Sequence, residues 1–291
     1  MTRLLRRVCL PLLAALLALP GGATAAGGPL RIVATIPPYA MLARAVAGEA
    51  AQVDVLVQRG HDPHHFDPTV ATIARLRRAD LVIRNGIGMA QVETHIDRKP
   101  AAPGLFTVSE AAEFTPIRGR RGELNGHIWL EPAVMRQAAQ ALAEHLGRLR
   151  PSARQAFASN AIAFTEAIAA ADRDCRGLLA DLPTRWVVTF HPGFDYFFRH
   201  YQLEVAGSYL DLAGNAPSSR RIAGLLATIR EHDIPAIFRE PQLPEGPARA
   251  LAAEAGVRLA ELDPLGFSEA VQNYPELLRY NARQVRDAYH P

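Results

Sequence analysis

Cysteine is nearly absent from this chain: 291 residues contain two, Cys9 and Cys175. Cys9 sits at the start of an N-terminal apolar run, and removal of that run leaves Cys175 alone, which excludes an intramolecular disulfide. Stability then has to come from packing or from a bound metal. Lysine is rarer still: Lys99 stands beside 31 arginines, which reads as coding bias. No apolar run reaches the roughly 20 residues needed to span a bilayer. The sequence has no HExxH, no GxSxG and no Walker loop, and NGIGMAQ at 85–91 lacks the third glycine of a dinucleotide fingerprint. Repeats, coiled-coil heptads and low-complexity tracts are also missing.

What is present begins with Arg3, Arg6 and Arg7, an apolar stretch from Val8 to Leu19, and Ala23, Thr24 and Ala25 in an A-x-A pattern. This is a secretory signal peptide over 1–25, cleaved near Ala25. A lipid anchor needs a cysteine just after the apolar stretch, and Cys9 lies at its start, so a soluble exported protein is expected. The formal charge of +3 vanishes with the signal, because loss of three of the 32 basic residues leaves 29 against 29 acidic ones. A near-neutral mature chain gives no argument for nucleic acid. The arginines of PIRGRRGELNG (116–126) read as a solvated loop.

Short apolar strands alternate with amphipathic helical stretches, the pattern of βαβ units and mainly parallel sheets. Strands are expected at 30–36, 52–57, 80–85 and 105–108, with helices at 38–47, 69–78 and 132–149. A second set follows, with strands at 186–191, 203–208, 236–240 and 257–262 and helices near 194–201, 218–232, 245–255 and 273–288. Between them, Pro151 and Pro183 bound a stretch with Phe157, Ile162, Phe164, Ile168, Leu178 and Leu179 at helical spacing. The expected fold is α/β: a lobe over 26–150, one long rigid connecting helix over 151–182, and a second lobe over 183–291.

Residues 59–68, RGHDPHHFDP, place His61, His64 and His65 with Asp62 and Asp67 in one loop. Pro63 and Pro68 forbid a helix there, so helical spacing cannot gather the three imidazoles. Three other motifs stand at ends of expected elements: His127 in NGHIWLEP, His191 in TFHPGFDYFFRHY and Asp263 in LAELDPLGF. Polar side chains converging at strand ends of an α/β frame are where such folds build sites.

The ordered set DPH (62–64), GHIWLEP (126–132), FHPGFDYF (190–197), IFREPQ (237–242), LDPLG (262–266) and YPELLRYNARQV (274–285) resembles the zinc and manganese solute-binding proteins of ATP-binding-cassette importers. The resemblance covers nearly the whole mature chain. It implies a periplasmic receptor, expected to be monomeric, that captures a divalent cation in a cleft and passes it to a permease in the inner membrane. Position by position, it implies four metal ligands: His64, His127, His191 and Asp263, two from each lobe. Asp62 and Glu240 are the alternative carboxylates should Asp263 not bind, and His61 and His65 are at most supporting residues.

Three imidazoles and a carboxylate suit tetrahedral Zn(II). Manganese prefers more oxygen, and relatives with that selectivity usually carry a carboxylate where this chain has His191, so zinc is favoured with Mn(II) as the alternative. The chain departs from the zinc-specialised pattern twice: no histidine occurs between 113 and 126, where many relatives carry a His- and Asp-rich loop, and the second-lobe disulfide of the family cannot form. A periplasmic zinc hydrolase is the rival from another class, with Asp263 as general base. A metal-dependent adhesin is a further rival, weakened by the missing anchor.

Overall fold

The computed structural model describes residues 28–97 and 104–290; the signal peptide and Lys99 lie outside the described residues. The first lobe begins β1 (Leu30–Ala34), α1 (Pro37–Ala47), β2 (Ala51–Val55), α2 (Val70–Arg78), β3 (Leu81–Arg84) and α3 (Ala90–Asp97). It continues through β4 (Gly104–Thr107), the short α4 (Val108–Ala111) and α5 (Pro132–Leu149). After α6 (Arg154–Leu178) come β5 (Trp186–Thr189), α7 (Asp195–His200), β6 (Glu204–Ser208) and α8 (Ser219–Glu231). The chain ends with β7 (Ala236–Arg239), α9 (Glu245–Ala255), β8 (Arg258–Glu261) and α10 (Tyr274–Tyr289).

Both sheets are wholly parallel, with orders β2-β1-β3-β4 and β6-β5-β7-β8. Strand sequences such as LVIR, WVVT and AIFR carry three apolar residues in a row, without alternation, because helices cover both faces of a parallel sheet. In each sheet the order reverses beside the strand laid down first, which opens a crevice at the carboxyl ends there. The two sheets thus have the same winding, and the two-lobed α/β fold is that expected from the alternation of strands and helices.

A long helix joins the lobes, but it is shorter than the expected 151–182. Residues Pro151–Ala153 form a 3-10 turn and α6 runs from Arg154 to Leu178. The residue before a proline is pushed out of the helical region, and Arg150 accordingly sits at φ −138°, ψ 83°, so the chain reverses between α5 and α6. Phe157, Ala161, Phe164, Ile168, Ala171 and Cys175 form the buried stripe of α6, whereas Ile162 points outward at 58% exposure. That stripe packs on α1 and α5 of the first lobe and on α10 of the second. One hydrophobic cluster therefore runs from the first sheet through α6 into Phe197, Tyr274 and Leu278. The helix α3 was not anticipated; Val92 and Ile96 on its buried face, with Met89 just before it, carry the spacing that reveals it.

Candidate metal centre

Each histidine of interest is fixed by a local device just beyond a strand or loop. Asp62 caps a 3-10 turn at Pro63–His65, accepting the His64 backbone N–H at 2.9 Å, and its other oxygen takes His65 Nδ1 at 2.8 Å. His65 is thereby drawn outward, with 73% of its side chain exposed, while His64 turns in. His127 begins the buried Ile128–Leu130 turn, and Asn125 Oδ1 accepts both its backbone N–H at 3.0 Å and its Nδ1–H at 2.8 Å. His191 follows β5 with extended backbone, and its Nδ1 donates to Glu240, which follows the neighbouring strand β7, at 3.1 Å. Those two strands flank the switch point of the second sheet.

The three rings converge. Centroids of His64 and His127 lie 5.4 Å apart, His64 and His191 5.1 Å, and His127 and His191 5.1 Å. One nitrogen from each falls within 4.8 Å of the other two, close enough for a shared cation. Because Nδ1 of His127 and His191 is occupied as donor, Nε2 carries the free lone pair in both. Nε2 of His64 and of His191 is buried without any hydrogen-bond partner. A buried polar atom left unpaired calls for an explanation, and an incoming cation supplies one.

Electrostatics prepare the site for positive charge. Burial, then the nearby His191 ring, drives the His64 imidazole down to about 4. Burial, then His191 and His64, holds His127 well below its ordinary value. For His191 burial also pulls downward, but the Glu240 carboxylate outweighs it and the net shift is upward. The lone pairs of His64 and His127 are thus open to a cation near neutrality, whereas at His191 a proton held by Glu240 competes with it.

Asp263 does not join this group. Its carboxylate is buried and receives the backbone N–H groups of Leu265 at 3.0 Å, Gly266 at 2.8 Å and Ser268 at 2.6 Å. The turn after Pro264 folds its amides back over the side chain, while Pro264 itself accepts Trp129 Nε1–H at 2.7 Å across the lobes. Asn125, which was not among the candidate residues, does more than orient His127. Its side-chain amide donates to the Pro192 carbonyl at 2.8 Å and its own carbonyl accepts Tyr196 Oη–H at 3.1 Å, so it stitches the lobes beside the site. The signal was present in the run N-G-H, an amide two residues before a histidine that it can hold.

Two lobes on one helix, with histidines from both meeting in the cleft, define a metal-binding solute receptor. The family model described as "ZnuA: Zinc-uptake complex component A periplasmic" matches residues 32–288, and the chain belongs to that family. The zinc-binding lipoprotein AdcA of Streptococcus pneumoniae is 28% identical over 281 residues, covering 90% of this chain and 56% of that protein. This chain thus spans about half the length of the streptococcal relatives it matches. The high-affinity zinc uptake system protein ZnuA of Yersinia pestis is 26% identical over 263 residues, with 81% and 83% covered. A crystal structure of ZnuA superposes with a TM-score of 0.79 at 26% identity, covering 90% of this chain and 99% of that one. The Mn2+ complex of FpvC from Pseudomonas aeruginosa gives 0.76 at 26% identity, covering 89% and 98%. No helix among the described residues is long and apolar enough to cross a membrane.

Proposed function

We propose that this protein is an exported receptor that captures Zn(II) between its lobes and delivers it, as a monomer, to an ATP-binding-cassette permease in the inner membrane. The observation that carries the reading is the meeting of His64 and His127 with His191, nitrogens from both lobes within 4.8 Å of one another. Zinc takes imidazole nitrogen readily and imposes no geometry of its own. Manganese, bound in the FpvC structure, favours oxygen, and a nitrogen-only set argues for zinc as cargo. A cation held by both lobes ties them together, and release needs the lobes to part at the cleft. The three histidines are the committed set, and Asp263, whose carboxylate accepts three backbone amides and keeps lone-pair capacity for a further bond, is the carboxylate to be tested beside them by substitution.

The test is elemental analysis and thermal unfolding of the mature protein. We expect one zinc per chain, and a higher Tm with zinc than without, since ligand at 1,000-fold over Kd adds about 4 kcal/mol. Zinc-free and zinc-treated protein melting alike would overturn the proposal.

A further inference from the structure

Asp62 serves two histidines at once. It accepts the His64 backbone N–H at 2.9 Å, and its other oxygen takes Nδ1–H of His65 at 2.8 Å. A carboxylate on one ring nitrogen is the arrangement that orients an imidazole and prepares the other nitrogen as a metal donor. The same device stands behind His191, where the acceptor is Glu240. His65 is thus built like a ligand, yet it is not one of the three converging rings. Its side chain is largely exposed, and the nitrogens within 4.8 Å of one another are those of His64, His127 and His191.

A cavity of about 400 Å³ reaches from His65 to His64 and His191. Asp62 borders it as well, and the rest of its lining, which includes Phe190, Leu210, Leu243 and Pro244, brings no imidazole or carboxylate. At its inner end Nε2 of His64 and of His191 is buried without a hydrogen-bond partner. At its outer end the second lobe borders the mouth: a Cβ on Gly214, in the loop after β6, would lie 3.8 Å from His65 Cε1. A hydrated dication that enters such a space gives up water, which is costly unless protein atoms take over the bonds. A donor at the mouth replaces the first water before the ion reaches the buried nitrogens, and the Asp62 carboxylate draws positive charge toward it.

We propose that His65 is the entry ligand of the site: Zn(II) binds first to its Nε2 at the mouth and passes through the cavity to His64 and His191. The inference rests on the zinc reading of the three histidines. Because His65 holds the ion only in transit, it sets the height of the barrier and not the depth of the well. Its loss therefore slows capture and release alike.

The experiment is stopped-flow mixing of Zn(II) with metal-free protein, followed by tryptophan fluorescence, since the Trp129 ring centroid lies 5.0 Å from that of His127. Release is timed by mixing zinc-loaded protein with excess chelator, and Kd is measured separately by chelator competition. We expect His65→Ala to slow association and dissociation by a common factor of about three- to tenfold, with Kd unchanged. His61→Ala, which removes an imidazole from the same loop but not from the cavity lining, should leave both rates as they are. Rates untouched by His65→Ala, or slowed as much by His61→Ala, overturn the entry role and leave the zinc reading standing. A higher Kd with association unchanged also overturns it, since His65 would then act in the bound state. Wild-type protein that binds no zinc overturns both.

Discussion

His127 and His191 owe their direction to side chains that stand behind them. Asn125 and Glu240 hold the outer nitrogens, and such partners fix tautomer and ring orientation and raise ligand basicity. Space around Glu240 is tight: a Cβ at Gly193 would lie 2.5 Å from Glu240 Oε1, which explains the glycine after His191-Pro192. Glu240→Gln can donate as well as accept, so it no longer dictates the tautomer, and zinc affinity should fall about tenfold. Alanine at His64, His127 or His191 should lower it by more, about 100-fold or beyond, whereas Asp263→Asn should change it by less than about tenfold. Competition with a chromophoric chelator measures all five, and equal losses at Asp263 and the histidines would restore Asp263 to the ligand set. The histidines were legible because each stands beside a proline or strand end in a short motif. The work of Glu240 was not, since it depends on β5 and β7 being neighbours, a tertiary fact. Asp263 was correctly seen at the end of the last strand, but the fold of the following amides over it leaves no mark in the residue types.

The loop carrying His127 is seated on the turn after β3 by two glycines whose backbones touch. A Cβ on Gly126 would sit 2.7 Å from the Ile87 carbonyl, and one on Gly88, at φ +65°, would meet Gly126 at 2.6 Å. Asn85, buried at the end of β3, donates to the Ile87 carbonyl at 2.5 Å and to the Gly126 carbonyl at 2.7 Å, locking the two turns. Both contacts are to backbone, which cannot swing aside, so Gly126→Ala must displace the loop. We expect a loss of about 1–3 kcal/mol together with weakened zinc binding, read by denaturant unfolding and by titration. A variant that unfolds early yet binds zinc like wild type would show that His127 is positioned by Asn125 alone. At this scale the strands were readable almost to the residue, because short Val- and Ile-rich runs bounded by polar turns leave few alternatives. The start of α6 was misjudged because Pro151 suits the first turn of a 3-10 turn as well as of an α-helix. What decided it was the reversal onto α5, which local sequence does not encode.

Across the whole molecule, the lobes and the connecting helix meet at His200. Its Nδ1 lies 2.7 Å from Glu131, at the start of α5, and its Nε2 2.7 Å from Asp172 of α6. Arg199 pairs with Glu131 at 3.7 Å, Arg176 with Asp172 at 3.3 Å, and the Tyr201 ring packs edge-on against the imidazole. Arg176 also stands 2.9 Å from Nε2 and opposes a charge there. Burial acts against the imidazolium too, but the two carboxylates outweigh both and the His200 pKa is raised. A group whose pKa is higher in the folded than in the unfolded chain stabilises the fold when protonated. The contribution is therefore complete below the unfolded value of about 6.5 and lost as pH rises through the folded value. His200→Gln keeps much of the volume and loses the charge, leaving Glu131 and Asp172 facing a neutral amide. With the side chain 15% exposed, we expect a loss of about 1–3 kcal/mol at mildly acidic pH, less than for a fully buried pair. The Tm gap between wild type and variant should be widest near pH 6 and narrow steadily toward alkaline pH, with zinc affinity little changed because the residue lies away from the donors. A gap independent of pH would mean that His200 braces the lobes by packing alone, and a gap that widened with pH would mean that the neutral imidazole is the form the fold prefers.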